Sequence, residues 1–213
     1  ITIVQDDFWT MSFTARRPYL VIALGLLLVA VGASYAIPRS RFGYYLAAVR
    51  ENVRRFRRLV GPSVEIMPCV KADAYGHGAV DVSKAALEAG ATRLVVATGQ
   101  EGEELREAGI VAPIHILGGS LPEEIPGAIA RNLTLTVHEL DLARIISVEA
   151  VRRNVTVSVH LKIDTGMGRL GILPEDAPRA AAEIASYPNV RLEGAFMHFA
   201  DAGDEAYSRY QLE

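Results

Sequence analysis

The sequence predicts an α/β fold in which helices cover a parallel sheet, on three observations. Short apolar runs of strand length recur at 65–70, 94–97, 114–117, 133–137, 155–163 and 192–199. Helical stretches separate them: Ala79 to Ala89, Glu101 to Ala108, Glu123 to Arg131, Glu139 to Arg153 and Pro174 to Ser186, with another beginning near Asp204. Chemistry-bearing polar residues follow three of the runs at once, and in β/α folds that end of a strand holds the ligand. Alternation of strand and helix implies parallel pairing, because each helix carries the chain back to the starting end of the sheet. Right-handed crossovers allow an open doubly wound sheet or a (β/α)8 barrel, and counting strands does not separate the two.

The elements follow in chain order. Tyr19 to Ile37 carries no charge, and 24–31 is nearly all aliphatic. At ~1.5 Å rise per residue such a run matches a bilayer core. Arg16 and Arg17 precede it, and Ala33-Ser34-Tyr35-Ala36 resembles a small-residue cleavage site. Residues 1–38 are therefore expected to be an N-terminal extension with a signal-like or transmembrane segment at 19–37, capable of membrane contact. The alternative is a buried helix or strand of a soluble fold. The chain begins with Ile1, and read from Met11 the order is polar, basic, apolar, small, as in a secretory signal. Residues 1–10 then read as translated upstream sequence. Arg39, Arg41, Arg50, Arg54, Arg55, Arg57 and Arg58 follow the apolar run, and positive charge on that side favours a cytoplasmic or membrane-anchored protein. Periplasmic export is expected if 11–36 is a signal peptide.

Arg41 to Leu59 reads as an amphipathic helix, with Phe42, Leu46, Val49, Val53 and Phe56 at three- and four-residue steps and a solvated arginine face. Gly61-Pro62 ends it. From there to residue 213 the βα alternation runs without a linker, so 39–213 is expected to be one domain. Half of the 213 residues are hydrophobic and 22% are charged, a globular balance. The net charge of −3 gives no support to nucleic-acid binding. Cys69 is the only cysteine, which excludes an intramolecular disulfide and a cysteine-based metal centre; no metal is expected.

Three segments carry the chemistry. In Cys69-Val70-Lys71-Ala72-Asp73-Ala74-Tyr75-Gly76-His77-Gly78, a lysine directly follows a buried strand. Desolvation favours a free amine there, which can attack an aldehyde to form a Schiff base. In His160-Leu161-Lys162-Ile163-Asp164-Thr165-Gly166-Met167-Gly168-Arg169-Leu170-Gly171, a strand runs into a glycine-rich loop. Arg169 could offer its planar fork to a carboxylate, and Lys162 alternates with apolar neighbours, so it points into a closed barrel or onto one sheet face. In Gly194-Ala195-Phe196-Met197-His198-Phe199-Ala200-Asp201, His198 ends an apolar strand. Each alone has an ordinary structural explanation: an edge lysine, a capping arginine, a core histidine. Their convergence at one face does not.

VKADAYGHG resembles the cofactor-lysine signature of alanine racemases. HLKIDTGMGRLGI and GAFMHFADAGDE resemble two later segments of that family, in the same order and at similar spacing. The resemblance covers 39–213 and implies a pyridoxal 5'-phosphate (PLP)-binding (β/α)8 barrel, with about six of eight units present. It implies that Lys71 holds PLP and acts as one of two bases, that Tyr75 contacts the phosphate region, and that Arg169 binds near the PLP phenolic oxygen and the substrate carboxylate. Met167 would join Arg169 in binding substrate. Lys162, often carbamylated in the family, would buttress Arg169 with Asp164 in support, and His198 would lie beside the pyridine ring. The implied function is interconversion of L- and D-alanine for peptidoglycan synthesis, by a homodimer in the complete enzyme. Preference for alanine over serine does not follow from these motifs.

The chain also departs from the family. Tyr44-Tyr45-Leu46 stands where His-Asn-Leu is common. The last two barrel units and the C-terminal β-domain, whose tyrosine serves as the opposite base in the partner subunit, are not in the sequence. The expectation is a fragment of a racemase; the alternatives are a non-catalytic PLP-binding barrel or a membrane-anchored binding domain.

Overall fold

The computed structural model describes residues 16–36 and 41–212, with side chains described for 17–32 and 43–212. The chain divides into two units, Ile1–Ala48 and Val49–Glu213. The division falls inside a helix rather than at the expected residue 38.

In the first unit the apolar run forms helix α1 (Arg16–Ala36). Leu20, Val21, Leu24, Leu27, Leu28 and Val29 on it are all at least half exposed. The expected membrane span is not borne out: among the described residues no helix is long and apolar enough to cross a membrane. Residues 1–15, Met11 among them, lie outside the described residues, as do the side chains of the expected cleavage site.

Helix α2 (Arg41–Val60) matches its expected span. Val53 packs on Ala86, Ala89 and Ala91, with Val49, Ile66 and Leu87 alongside. Its arginine face is not simply solvated. Arg50 pairs with Glu88, Arg58 with Glu51, and Arg57 donates to the carbonyls of Gly61, Val64 and Gly90.

The second unit goes on with two helices, α3 (Lys71–Gly76) and α4 (Ala79–Glu88), and then alternates strand and helix: β1 (Leu94–Val96), α5 (Gly99–Glu107), β2 (Ile114–Ile116), α6 (Ile125–Ala130), β3 (Leu135–Val137), α7 (Leu140–Arg153), β4 (Val157–Lys162), α8 (Ala177–Ser186), β5 (Val190–Phe196) and α9 (Glu205–Tyr210). All pairing is parallel, in sequential order. The expected strand at 65–70 is reduced to a single bridge, Cys69 with Val95. Thr92 N–H donates to Ile66, Val95 N–H to Pro68 and Val70 N–H to Val95. Pro68 has no N–H to give the ladder, which interrupts regular pairing there. A bridge between His115 and Thr134 joins β2 to β3, so the sheet is continuous.

Side-chain contacts show the sheet curled. Neighbouring strands lie about 4.8 Å apart, so β2 and β5 would be about 14 Å apart if the sheet were flat. Instead the His115 ring centroid is 4.4 Å from that of His160 in β4 and 5.2 Å from that of Phe196 in β5. Arg93, just before β1, reaches both Glu65 and Glu193 of β5, at 2.8 and 2.9 Å. Only a barrel-like curvature brings first and last strands to one arginine, which rules out the open sheet. Ser158, His160 and Lys162 alternate with Val157, Val159 and Leu161 along β4, so the polar set lines the inside and the apolar set meets the helices. A bulge between Val159 and His160 shifts the register against β5 by one residue, placing Gly194 against the His160 ring.

Candidate active site

The lysine segment is built in a rare conformation. Ala72, Asp73, Ala74 and Tyr75 all have φ between 51° and 57°, so α3 is a turn of left-handed helix. For L-residues each such position costs about 1–2 kcal/mol. Surrounding hydrogen bonds hold it. Ala74 N–H donates to Val70 O at 2.9 Å, Asp73 Oδ1 accepts from Ala79 N–H at 2.6 Å, and Glu101 Oε1 accepts from Ala72 N–H at 2.7 Å. The other oxygen of Glu101 accepts from Ala97 and Thr98, completing a capping box with Thr98 at the start of α5. One carboxylate thus ties the lysine turn to the end of β1. The turn leaves Lys71 half-buried directly after fully buried Val70, with its ammonium 6.0 Å from the Tyr75 ring centre. Tyr75 is exposed, and its hydroxyl lies 3.8 Å from the Cys69 sulfur, which raises its pKa.

The arginine loop is organised by Asp164. Its carboxylate accepts from the backbone N–H groups of Gly166, Gly168 and Arg169 at 3.0, 3.0 and 3.1 Å. Those bonds lower its pKa, those from Gly168 and Gly166 most. Asp164 N–H in turn donates to Ile172 O, and Ile172 N–H to Lys162 O. Gly171 sits at the neck of the loop with φ of +133°; a Cβ there would stand 2.6 Å from Asp164 N. The loop presents Arg169 exposed, and its guanidinium makes no hydrogen bond among the described residues.

Lys162 is 3% exposed, and its ammonium donates to Ile163 O at 2.9 Å. It also lies 5.6 Å from the Phe196 ring centre, inside the curl. Burial lowers its pKa, Asp164 opposes this, and Arg169 adds to the lowering. His198 follows β5, and its Nδ1 is buried without a hydrogen-bond partner. Its pKa is lowered by burial first, then by Lys162, Arg169 and Lys71. The positive charges of Lys162, Arg169 and Lys71 therefore all act on the His198 imidazole. Met167 is on the same loop as Arg169, half-buried.

Several residues of the site were not singled out from sequence. Glu101 was legible only as the first residue of an expected helix. Gln211 is buried and bridges the loops after β4 and β5. Beneath the site, His115, His160, Glu193 and Arg93 fill the curl; burial takes the His115 pKa down to about 3 and lowers that of His160. The period-2 placement of Ser158, His160 and Lys162 was the available signal for an interior lined with polar groups.

Chemically, these strand ends offer an amine, two further cations and an imidazole with a buried, unpartnered nitrogen. That set suits a ligand with an aromatic ring, a carbonyl and anionic groups, all of which PLP carries. The fold and site define a class: a β/α barrel domain with a lysine directly after its first buried strand segment and three cations that act on one half-buried histidine. The family model for the alanine racemase N-terminal domain matches residues 45–213, and the chain belongs to that family. It is 46% identical over 171 residues to an alanine racemase of Desulforamulus reducens, covering 79% of this chain and 46% of that protein. Among solved structures, an alanine racemase of Clostridium difficile 630 superposes with a TM-score of 0.74 at 36% identity, over 77% of this chain and 44% of that one. A histidine racemase of Leuconostoc mesenteroides superposes with a TM-score of 0.72 at 29% identity, over 78% of this chain and 45% of that one. The chain spans just under half the length of these relatives. The family is PLP-dependent.

Proposed function

We propose that residues 45–213 are the cofactor-bearing barrel of an amino-acid racemase that interconverts L- and D-alanine. The observation that carries this is the family match over 45–213, beside the charges of Lys162, Arg169 and Lys71 that lower the His198 pKa. Lys71 would hold PLP covalently and then, as a free amine, take or return the substrate α-proton on one face. Bound there, PLP withdraws electrons from the α-carbon and makes that proton removable. Tyr75 would contact the phosphate region. Arg169 would bind the substrate carboxylate and the phenolic oxygen, with Met167 beside it. Lys162 is a buried amine with a lowered pKa, so its unprotonated form can add CO2, releasing a proton. The resulting carbamate would turn a cation that repels Arg169 into an anion that holds it. His198, kept neutral, would lie against the pyridine ring without competing for its nitrogen.

Racemisation needs a proton group on each face. Lys71 would serve one; by resemblance, the other would come from a tyrosine of a partner subunit in a homodimer. Alanine as substrate is supported by the names of the alanine racemases among the relatives. The histidine racemase with the same barrel supports a division in which this domain handles the α-amino acid core common to both substrates. D-alanine supply for peptidoglycan follows from that substrate. Membrane contact through 19–37 rests on the sequence alone, and carbonate extraction of membranes from cells expressing the chain tests it. Borohydride reduction of protein incubated with PLP, followed by peptide mapping, tests the central reading. Label on Lys71 is expected; label elsewhere, or none in folded protein, overturns it.

A further inference from the structure

The residues that face the pocket do not themselves fix where Arg169 stands. Asp164 shapes the loop internally and Ile163 N–H, donating to Phe196 O at 2.9 Å, ties its base to β5, but neither holds residues 165–169 against the turn after β5. That contact is made from α9. Gln211, 3% exposed, closes α9 with its carboxamide turned inward. Its Nε2 donates to Thr165 Oγ1 at 3.2 Å and to His198 O at 3.1 Å, and its Oε1 accepts from Ala200 N–H at 2.9 Å. One side chain therefore joins the loop after β4 to both backbone groups that flank the turn after β5. One turn earlier on α9, Tyr207 Oη donates to Gly166 O at 2.8 Å. The fit is close: a Cβ on Gly166 would stand 2.9 Å from Tyr207 Oη and 3.6 Å from Gln211 Cγ. α9 is itself anchored, since Asp204 caps it through Tyr207 N–H and Ser208 Oγ donates to Asp201 O. A buried carboxamide with both donors and an acceptor engaged is costly to misplace, because each group left unpaired loses its hydration without return.

We propose that Gln211 is a positioning residue, a latch that locks the 164–171 loop against the His198 strand end and so sets the place of Arg169. It touches neither substrate nor cofactor. The proposal rests on the racemase reading for its catalytic consequence, but its mechanical part stands on this geometry alone. A displacement of about 1 Å of a substrate-holding group can cost up to about 100-fold in rate.

Hydrogen exchange on the 213-residue chain separates the two. Gln211→Glu keeps the acceptor for Ala200 but loses both donors. Amides of 165–169 should then exchange at least about 10-fold faster while the Ala200 amide stays protected and β1 to β3 are unchanged. Thr165→Val, which leaves Gln211 buried and the helix untouched, should loosen the same amides by a smaller factor. Unchanged exchange at 165–169 in both variants overturns the latch, as does loosening that spreads evenly through the barrel. In the PLP-loaded enzyme with its full partner complement, Gln211→Glu should lower kcat/KM for alanine about 10- to 100-fold with PLP affinity changed less than about 3-fold. Equal losses in both, or no loss of kcat/KM, overturn the positioning role. Failure of borohydride label at Lys71 would instead remove the racemase reading and leave the exchange result standing.

Discussion

At the scale of single residues, burial decides the chemistry. His115 touches His160, Phe196 and Thr136 inside the curl, and its pKa falls to about 3, chiefly through desolvation. The unfolded chain binds a proton near pH 6.5 that the folded chain refuses. Stability from this group is therefore full above about 6.5 and declines as pH falls toward 3. Between pH 6.5 and 5 the loss is about 2 kcal/mol. His115→Asn should flatten that part of the acid-side stability profile in urea titrations; an unchanged slope would locate the acid sensitivity elsewhere. Lys162 shows the matching case for a buried amine. Its folded pKa is lowered, so the unfolded state holds the extra proton, and stability should rise with pH between the folded value and the ordinary lysine value. Lys162→Met should remove that alkaline rise and raise the Tm of protein kept free of bicarbonate. The same change should abolish any mass gain of one CO2 seen on the unmutated chain in bicarbonate. A lower Tm in Lys162→Met would show that the unmodified amine is already well paired.

At the scale of elements, the lysine turn is where local preference and fold disagree most. Alanine and tyrosine do not favour left-handed backbone, yet four residues in a row adopt it. The turn persists because Glu101, Asp73 and the Val70 carbonyl hold its ends. Ala72 is exposed, so replacing it loses no packing. Ala72→Gly should be neutral or stabilising by up to about 1 kcal/mol, the relief of strain being partly offset by the entropy of a freer unfolded chain. Ala72→Val should destabilise, because a β-branched residue fits this region worst. Denaturant melts of the pair read this directly, and the opposite ranking would show that the turn is not strained at Ala72. Most helices lie within one to three residues of their sequence-derived bounds, since apolar spacing and caps such as Thr98 to Glu101 act locally. The 65–70 strand was only half legible: its apolar content was visible, but the effect of Pro68 on a ladder depends on which partner strand it meets.

For the molecule as a whole, the governing feature is the edge of β5. Among the described residues β5 pairs only with β4, and the outer faces of both strands border an apolar groove lined by Leu161, Ile163, Pro178, Ala195, Tyr210 and Leu212. An unpaired parallel edge beside apolar surface invites association. Residues 49–213 produced alone should therefore associate with rising concentration, measured by sedimentation velocity. A monodisperse, cooperatively melting monomer would show that the Arg93–Glu193–Glu65 bridge and the interior contacts suffice to close the unit.

The sequence by itself determined the alternation of strands and helices, the parallel sense of the sheet and, through three motifs in register, Lys71, Lys162, Arg169 and His198 as the residues of interest. These are carried by periodicity and by short contiguous stretches, which the chain displays directly. Periodicity left the curl of the sheet open and only the family resemblance implied it; the tertiary structure shows it, because curvature is a relation between strands a hundred residues apart, as Arg93 and Glu193 are. The tertiary structure alone decided the left-handed turn, which Glu101 holds from another element. It also revealed Gln211, whose three hydrogen bonds reach residues 11, 13 and 46 positions away in the chain and leave no pattern in the sequence.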